Sequence, residues 1–258
     1  MSAFVNARLF DRISKEYGRK ISADLEFYLR SAAFEEAFHT IKSGSVRNVL
    51  EAGCGNGLLT ARLAKLGIRI SAVDFSEGML REAKKRASGR NVRFFRADLR
   101  RLPFRNDSFD LVILLNVLIN QDDKNAERII SECCRVLRRD GFLILNFENR
   151  GTMLSLAFWL GRSRKLFART YPPGFIREIL KKNSLKIVRE RRIGFSGREK
   201  CPVIIKKEEG VGEKIRRILS SWKSFANTSK YLIRVLLVKL SIRTGEKPAT
   251  ILVARKEP

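Results

Sequence analysis

Val46-Arg47-Asn48-Val49-Leu50-Glu51-Ala52-Gly53-Cys54-Gly55-Asn56-Gly57 is the stretch on which the fold turns. Val49 and Leu50 lead into Glu51, and glycines follow at three alternate positions. Leu58 to Ala64 (LLTARLA) then resumes with helical spacing. The order reads strand, glycine turn, helix. Glycine lets the backbone take positive φ and lets a ligand approach with no Cβ in the way. The following helix points its free N–H groups and positive dipole end back at the turn. A ligand carrying a carboxylate or phosphate is therefore expected across Gly53–Gly57.

Outward from that turn the chain alternates strand and helix as far as about residue 195. Strands are predicted at Asn48–Glu51, Ile68–Asp74, Val92–Arg96, Phe109–Leu115, Phe142–Phe147 and Lys186–Ile193. Helices are predicted at Leu58–Leu66, Glu77–Ala87, Ala126–Leu137 and Phe175–Lys182, with Arg138-Arg139-Asp140-Gly141 capping the third. Phe109–Leu115 is nearly all apolar, as a strand buried on both faces should be. Such alternation argues for a parallel sheet with helices on both faces. Ahead of it, Phe4 to Tyr17 and Leu25 to Phe38 have helical spacing, and Ser43-Gly44-Ser45 breaks the pattern. Ala249–Ala254 reads as a last strand.

Composition narrows the classes. The 258 residues are 44% hydrophobic, which is enough for a sizeable core and argues against global disorder. The apolar runs Leu111–Leu115, Met153–Leu160 and Val235–Val238 fall far short of the roughly 20 residues a spanning helix needs. MSAFVNARLFDRIS lacks the apolar region of a secretory leader. Cys54, Cys133, Cys134 and Cys201 match no zinc spacing, so reduced thiols in a cytoplasmic chain, peripheral to a membrane at most, are expected. Lys and Arg number 53 against 27 acidic residues, a net +26. The imbalance is uneven: +8 up to Arg150 and +18 beyond it. That field favours an anionic partner: RNA, an anionic membrane surface or a phosphorylated substrate. A merely solvated basic surface has the same composition.

Four motifs carry chemistry. The glycines of Gly53-Cys54-Gly55-Asn56-Gly57 fall one position short of the dinucleotide pattern G-x-G-x-x-G. Glu51, at the strand's end, would oppose a pyrophosphate and suits a ligand with an ammonium group. Asp74 ends the second strand, where a carboxylate can accept both hydroxyls of an adenosine ribose; with Ser76 it could equally cap a helix. Asp98 follows the third strand and can accept from an adenine amine, with Leu99 offering apolar surface to the ring. Ser108-Phe109-Asp110 and Asn116-Val117-Leu118 bracket the fourth strand, where capping and core packing are the plain alternatives.

Taken together, VLEAGCGNGLLT, AVDFSEGMLREAKKR, FFRADLRRLPFRNDSFDLVILLNVL and ECCRVLRRDGFLIL resemble the class I S-adenosylmethionine-dependent methyltransferases. The likeness is nearest to the group that includes the ubiquinone/menaquinone-biosynthesis type. It covers residues 45–195 and the last strand, and it specifies fold and cofactor but not substrate. It implies a Rossmann-like α/β fold: a doubly wound seven-stranded sheet, helices on both faces, with the last strand antiparallel between the fifth and sixth. It implies a division into a helical cap (1–44), an S-adenosyl-L-methionine-binding core (45–195), a basic helical insertion (196–247) and the final strand (248–258).

The resemblance also implies residue roles. Gly53, Cys54, Gly55 and Gly57 would line the methionine moiety with Glu51 beneath. Asp74 would take the ribose, with Phe75 and Met79 against the adenosine, and Asp98 and Leu99 would hold the adenine. Asn116 would face the sulfonium, where the family often has His or Ala. Tyr17 resembles a tyrosine that covers the cofactor.

Methyl transfer needs in-line alignment more than acid–base help, because the sulfonium methyl is already activated. A base is needed only if the nucleophile must lose a proton early. Candidates at the strand ends are Asn116, Asn120, Asp122, Glu148 and Asn149; His39, the one histidine, lies on a helix before the sheet. No metal constellation appears. Met153–Leu160 with Phe167 and Tyr171 sits where the family builds substrate lids. Residues 196–247, with Trp222 and Phe225 among Lys and Arg, read as a lid, an interfacial helix or an RNA-binding arm. A small-molecule or lipid-like acceptor is favoured. RNA methylation is the alternative, although the Asn-Pro-Pro-Tyr-type signature of base amino-methylation is absent. A non-enzymatic scaffold or cofactor sensor is the third reading.

Overall fold

The computed structural model describes residues 10–12, 14, 24–42, 46–87, 89, 91–150, 169–172, 174–193 and 249–258. Tyr17, the 153–160 connector, Phe167, Cys201 and the 196–247 insertion lie outside the described residues. The strands are β1 (Asn48–Ala52), β2 (Arg69–Asp74), β3 (Val92–Arg96), β4 (Phe109–Leu114), β5 (Leu137–Glu148), β6 (Leu185–Ile193) and β7 (Ala249–Lys256). The helices are α1 (Asp24–Lys42), α2 (Leu58–Leu63), α3 (Glu77–Arg86), α4 (Asp123–Val136) and α5 (Phe175–Lys182).

The seven strands form one sheet in the order β3-β2-β1-β4-β5-β7-β6. The pairs among β1 to β5 are all parallel. β7 runs antiparallel between β5 and β6, as expected. The order reverses between β1 and β4, so a crevice opens at their carboxyl ends, where open α/β sheets bind ligands.

Side-chain alternation along β4 shows how both faces are filled, and all six of its residues are buried. Val112 and Leu114 face the layer of α4 and α5, with Ile129, Ile130, Ile176 and Leu180. Leu111 and Ile113 face α1, α2 and α3, with Ala33, Ala37, Leu59, Leu63 and Leu80. Burying each large aliphatic side chain contributes about 1.5–3 kcal/mol. Ion pairs hold α1 to the β6 edge: Arg189 to Glu36 and Arg191 to Glu35, each at 2.6 Å.

Two of the boundaries that differ from the sequence expectation have a clear physical cause. α4 starts at Asp123 rather than Ala126, because Asp122 caps it by accepting from the Asn125 N–H at 2.7 Å. Arg138-Arg139-Asp140-Gly141 is not a helix cap but part of β5. Leu137 pairs with Phe109 and Phe142 with Leu111, so β5 carries extra residues there. Asp140 takes φ 60°, and a Cβ on Gly141 would lie 2.8 Å from the Arg138 carbonyl oxygen. The four residues form a bulge that only a glycine closes. Asp110, read as a strand-end residue, is buried and ties two strands. It accepts from the Arg47 and Asn48 N–H groups at 2.6 and 2.9 Å and pairs with Arg138 at 2.8 Å.

Candidate functional site

The glycine turn closes onto β2: the Gly53 and Cys54 N–H groups both donate to the Val73 carbonyl, at 2.8 and 2.9 Å. Gly53, Gly55 and Gly57 all have positive φ, at 81°, 52° and 77°. Their surroundings separate them. A Cβ on Gly53 would lie 2.4 Å from Val117 Cγ2, and one on Gly57 2.8 Å from the Ala83 Cα. A Cβ on Gly55 would meet nothing within 4 Å among the described residues. Gly53 and Gly57 therefore serve close packing, while Gly55 faces open space. α2 spans only six residues before tightening into a 3₁₀ turn at Ala64–Leu66. Its dipole is a smaller term than the exposed backbone of the turn.

Asp74, at the end of β2, reaches back to this turn. Its Oδ2 accepts from the Gly55 N–H at 2.8 Å and its Oδ1 from the Ser76 N–H at 2.9 Å. Burial pushes its carboxyl up to about 6, against the lowering effect of those bonds. Ser76 also caps α3, accepting from the Met79 N–H at 3.1 Å. The Ser76 hydroxyl donates to Asp11 Oδ1 at 2.6 Å, and the Gly78 N–H donates to the same oxygen at 2.8 Å. Phe10 stands edge-on to Phe75 with 5.7 Å between ring centres. Phe10 and Asp11 thus sit against the turn that follows Asp74. Nothing in the sequence marks Asp11, which lies 65 positions before its partner Ser76. Met79 is fully buried.

Glu51 is buried under the turn and accepts from the Thr60 hydroxyl at 2.6 Å. Burial, reinforced by the charges of Glu51 and Asp74, pushes the Cys54 thiol far up, so it is not a nucleophile. Leu99 is buried, and its Cδ1 lies 3.6 Å from the Gly53 Cβ position. Leu99 and Val117 therefore bring the third and fourth motifs to the first. Asp98 is committed to Arg100: the guanidinium donates to both carboxylate oxygens and holds the carboxyl below its usual range.

At the end of β4, Asn116 takes φ 56°, in the left-handed region. Its N–H donates to Asn146 Oδ1 at 2.7 Å, and Asn146 Nδ2 donates to Asn116 Oδ1 at 2.9 Å. Asn146, buried in β5, was missed; a lone amide within an otherwise apolar strand was the available signal. The other acid–base candidates divide. Asp122 caps α4, and Asn149 exchanges hydrogen bonds with the Thr250 hydroxyl at 3.0 and 3.2 Å. Asn120 lies in a 3₁₀ turn. His39 is exposed on α1 beside Phe38. Glu148 is buried, its Oε2 has no hydrogen-bond partner among the described residues, and burial pushes its carboxyl up to about 7. Among the described residues no group of three His, Cys, Asp or Glu could hold a metal ion.

Tyr171, expected near a lid, is a fully buried strut. Its hydroxyl reaches the Leu118 and Gln121 carbonyls at 2.8 and 3.0 Å, pinning the loop after β4. Tyr171→Phe removes the one hydroxyl proton these carbonyls share, although the Leu118 carbonyl keeps its bond from the Gln121 N–H, and is expected to cost about 1–3 kcal/mol in urea unfolding. An unchanged midpoint would show that the strut carries no load.

Residues 49–141 match the family described as Methyltransferase domain. That match runs from β1 to the bulge of β5, and the sheet order above is the fold shared with the solved structure described below. Over 143 residues the chain is 31% identical to a demethylmenaquinone methyltransferase of Clavibacter sepedonicus, covering 53% of this chain and 55% of that one. Over 106 residues it is 31% identical to a ubiquinone biosynthesis O-methyltransferase of Coxiella burnetii, covering 40% and 44%. The chain thus spans about half the length of these curated relatives. The crystal structure of magnesium protoporphyrin IX methyltransferase from Synechocystis, with bound S-adenosylhomocysteine, shares the fold. It has a TM-score of 0.64 and 22% identity, covering 98% of this chain and 97% of that one.

Proposed function

We propose that the chain transfers a methyl group from S-adenosylmethionine to an O, N or C nucleophile of a small-molecule or lipid-like acceptor. The observation that carries this reading is Gly55: a positive-φ position open to space, hydrogen-bonded to a buried carboxyl at the next strand's end. A side chain at residue 55 would fill the cradle that a ligand needs. In this reading Glu51, Gly53, Cys54, Gly55 and Gly57 hold the methionine end. Asp74 takes the ribose hydroxyls on the lone pairs that Gly55 and Ser76 leave free. Phe75, with Met79 as buried support, lies against the adenosine, Leu99 lies against the adenine, and Asp98 holds the adenine amine on an oxygen it shares with Arg100. Asn116, fixed by Asn146, borders the sulfonium region. When bound, the cofactor supplies an activated methyl group. The chain's residues orient it, keep water away and present the acceptor, and alignment alone can supply several kcal/mol.

The acceptor class rests on the relatives named for menaquinone and ubiquinone biosynthesis and on the apolar stretch 153–160. The division into a cap (1–44), core (45–195), insertion (196–247) and final strand (248–258) is part of the same proposal. So is a cytoplasmic chain that touches membranes through its basic region. Among the described residues no helix is long and apolar enough to cross a membrane. RNA as acceptor is the second reading, favoured by the net +18 beyond Arg150. The test is incubation with tritiated S-adenosylmethionine and separated lipid, small-molecule, RNA and protein fractions. Label in the lipid or small-molecule fraction is expected. Label in RNA, with retention that falls steeply with salt, would replace that reading with the second.

A further inference from the structure

We infer that Glu148, at the carboxyl end of β5, is the acceptor-side catalytic carboxyl, which receives the proton of a hydroxyl or amine nucleophile. This rests on the methyl-transfer reading above. Glu148 shares a sheet face with Asn146, two positions earlier, because side chains alternate along a strand. Asn146 is the residue that reaches across to Asn116 at the end of β4. Glu148 therefore stands at the ligand-binding edge of the sheet, next along β5 from the pair that borders the sulfonium region. A buried carboxylate oxygen with no partner is costly, and structures rarely retain one. Among the described residues Oε2 is such an oxygen. Of the other strand-end candidates, Asn120 carries an amide that is no base, and the rest are engaged: Asn116 with Asn146, Asp122 with α4 and Asn149 with Thr250. Glu148 is left as the acid–base group whose hydrogen bond must come from elsewhere. An acceptor hydroxyl or amine supplies the missing donor, and a carboxylate acceptor, bringing a second negative charge, does not.

The step balances. The acceptor's lone pair forms the bond to the methyl carbon, and the methyl–sulfur bond breaks with its electrons left on sulfur. The acceptor proton passes to Glu148 Oε2 and then to water. Burial, with no opposing hydrogen bond, places Glu148 close to neutrality as a proton acceptor.

The test compares Glu148→Gln with wild type, using a methanol–chloroform extract of bacterial cells as acceptor pool and tritiated S-adenosylmethionine as donor. S-adenosylmethionine affinity by calorimetry is expected to stay within twofold. Transfer is expected to fall by at least about 100-fold, and the rise in wild-type rate near pH 7 to vanish. Thermal stability gives a readout without turnover. A raised folded-state pKa makes Glu148's contribution full below its unfolded value and lost as pH rises through about 7. Wild type should therefore lose Tm relative to Glu148→Gln as pH rises from about 4.5 to about 7, and level off above that. Wild-type transfer and pH profile in the variant, or a loss of cofactor affinity as large as the loss of rate, overturns the assignment. Absence of cofactor binding in wild type marks instead a failure of the methyl-transfer reading, and the inference falls with it.

Discussion

Gly57→Ala is expected to destabilise the chain by about 2–5 kcal/mol, whereas Gly55→Ala, two positions away, is expected to cost only about 1–2. Both substitutions place a side chain on a backbone of positive φ, so they share the conformational term. They differ in what the new Cβ meets. At residue 57 it lies 2.8 Å from Ala83 Cα and 2.9 Å from Ala83 Cβ, so α2 and α3 must move apart. At residue 55 it meets nothing within 4 Å among the described residues. The ligand effects should run the other way. Gly55→Ala fills the space in which the methionine end is proposed to lie and should weaken S-adenosylmethionine at least tenfold in a chain that still folds. Urea unfolding and calorimetry on both variants read the two terms separately. Equal destabilisation, or full affinity in Gly55→Ala, would show that Gly55 is another packing glycine.

Removing the Asp74 carboxyl is expected to weaken S-adenosylmethionine binding by at least tenfold, about 1.4 kcal/mol or more. Part of the loss is direct, since the proposed ribose hydroxyls lose their acceptor. Part is indirect, because the Gly55 N–H also loses its partner. The two separate by pH. Burial raises the Asp74 carboxyl to about 6 from 3.8, so the ligand-free chain holds this proton between those values. Its contribution to stability is full below 3.8 and is lost as pH rises through about 6. Hydroxyls donating to the carboxylate favour the ionised form. Binding near pH 6 should therefore release a proton, and affinity should fall as pH drops from 7 to 5. Calorimetry in buffers of different ionisation enthalpy detects that proton, and Asp74→Asn should abolish it. Binding with no proton released, and equal affinity at pH 5 and 7, would remove Asp74 from the ribose site.

The sheet was legible because its signals are local. Strand, glycine turn and helix succeed one another from Asn48 to Leu63, and the β4 run is apolar enough to be read as buried on both faces. The antiparallel place of β7 came from the family resemblance, since no local pattern states where a strand inserts. Boundaries failed where one side chain or a long-range contact decides them: Asp122 lengthens α4, and Gly141 turns an apparent helix stop into a bulge. In the candidate site, the turn and Asp74 were legible from residue type and position. Asp11, Asn146 and the Asp110 tie depend on tertiary contacts between distant segments, which no periodicity records. Asp98 was legible as a carboxylate, but its capture by Arg100 depends on the bend of the loop after β3.

The turn at Gly53–Gly57 is proposed to seat the methionine end of S-adenosylmethionine and not a dinucleotide. Calorimetric titration of the folded chain with S-adenosylmethionine, and separately with NADH, tests it most directly. Saturable binding of one S-adenosylmethionine per chain, with no heat from NADH, is predicted. A folded chain that binds NADH, or that gives no heat with S-adenosylmethionine, would contradict it.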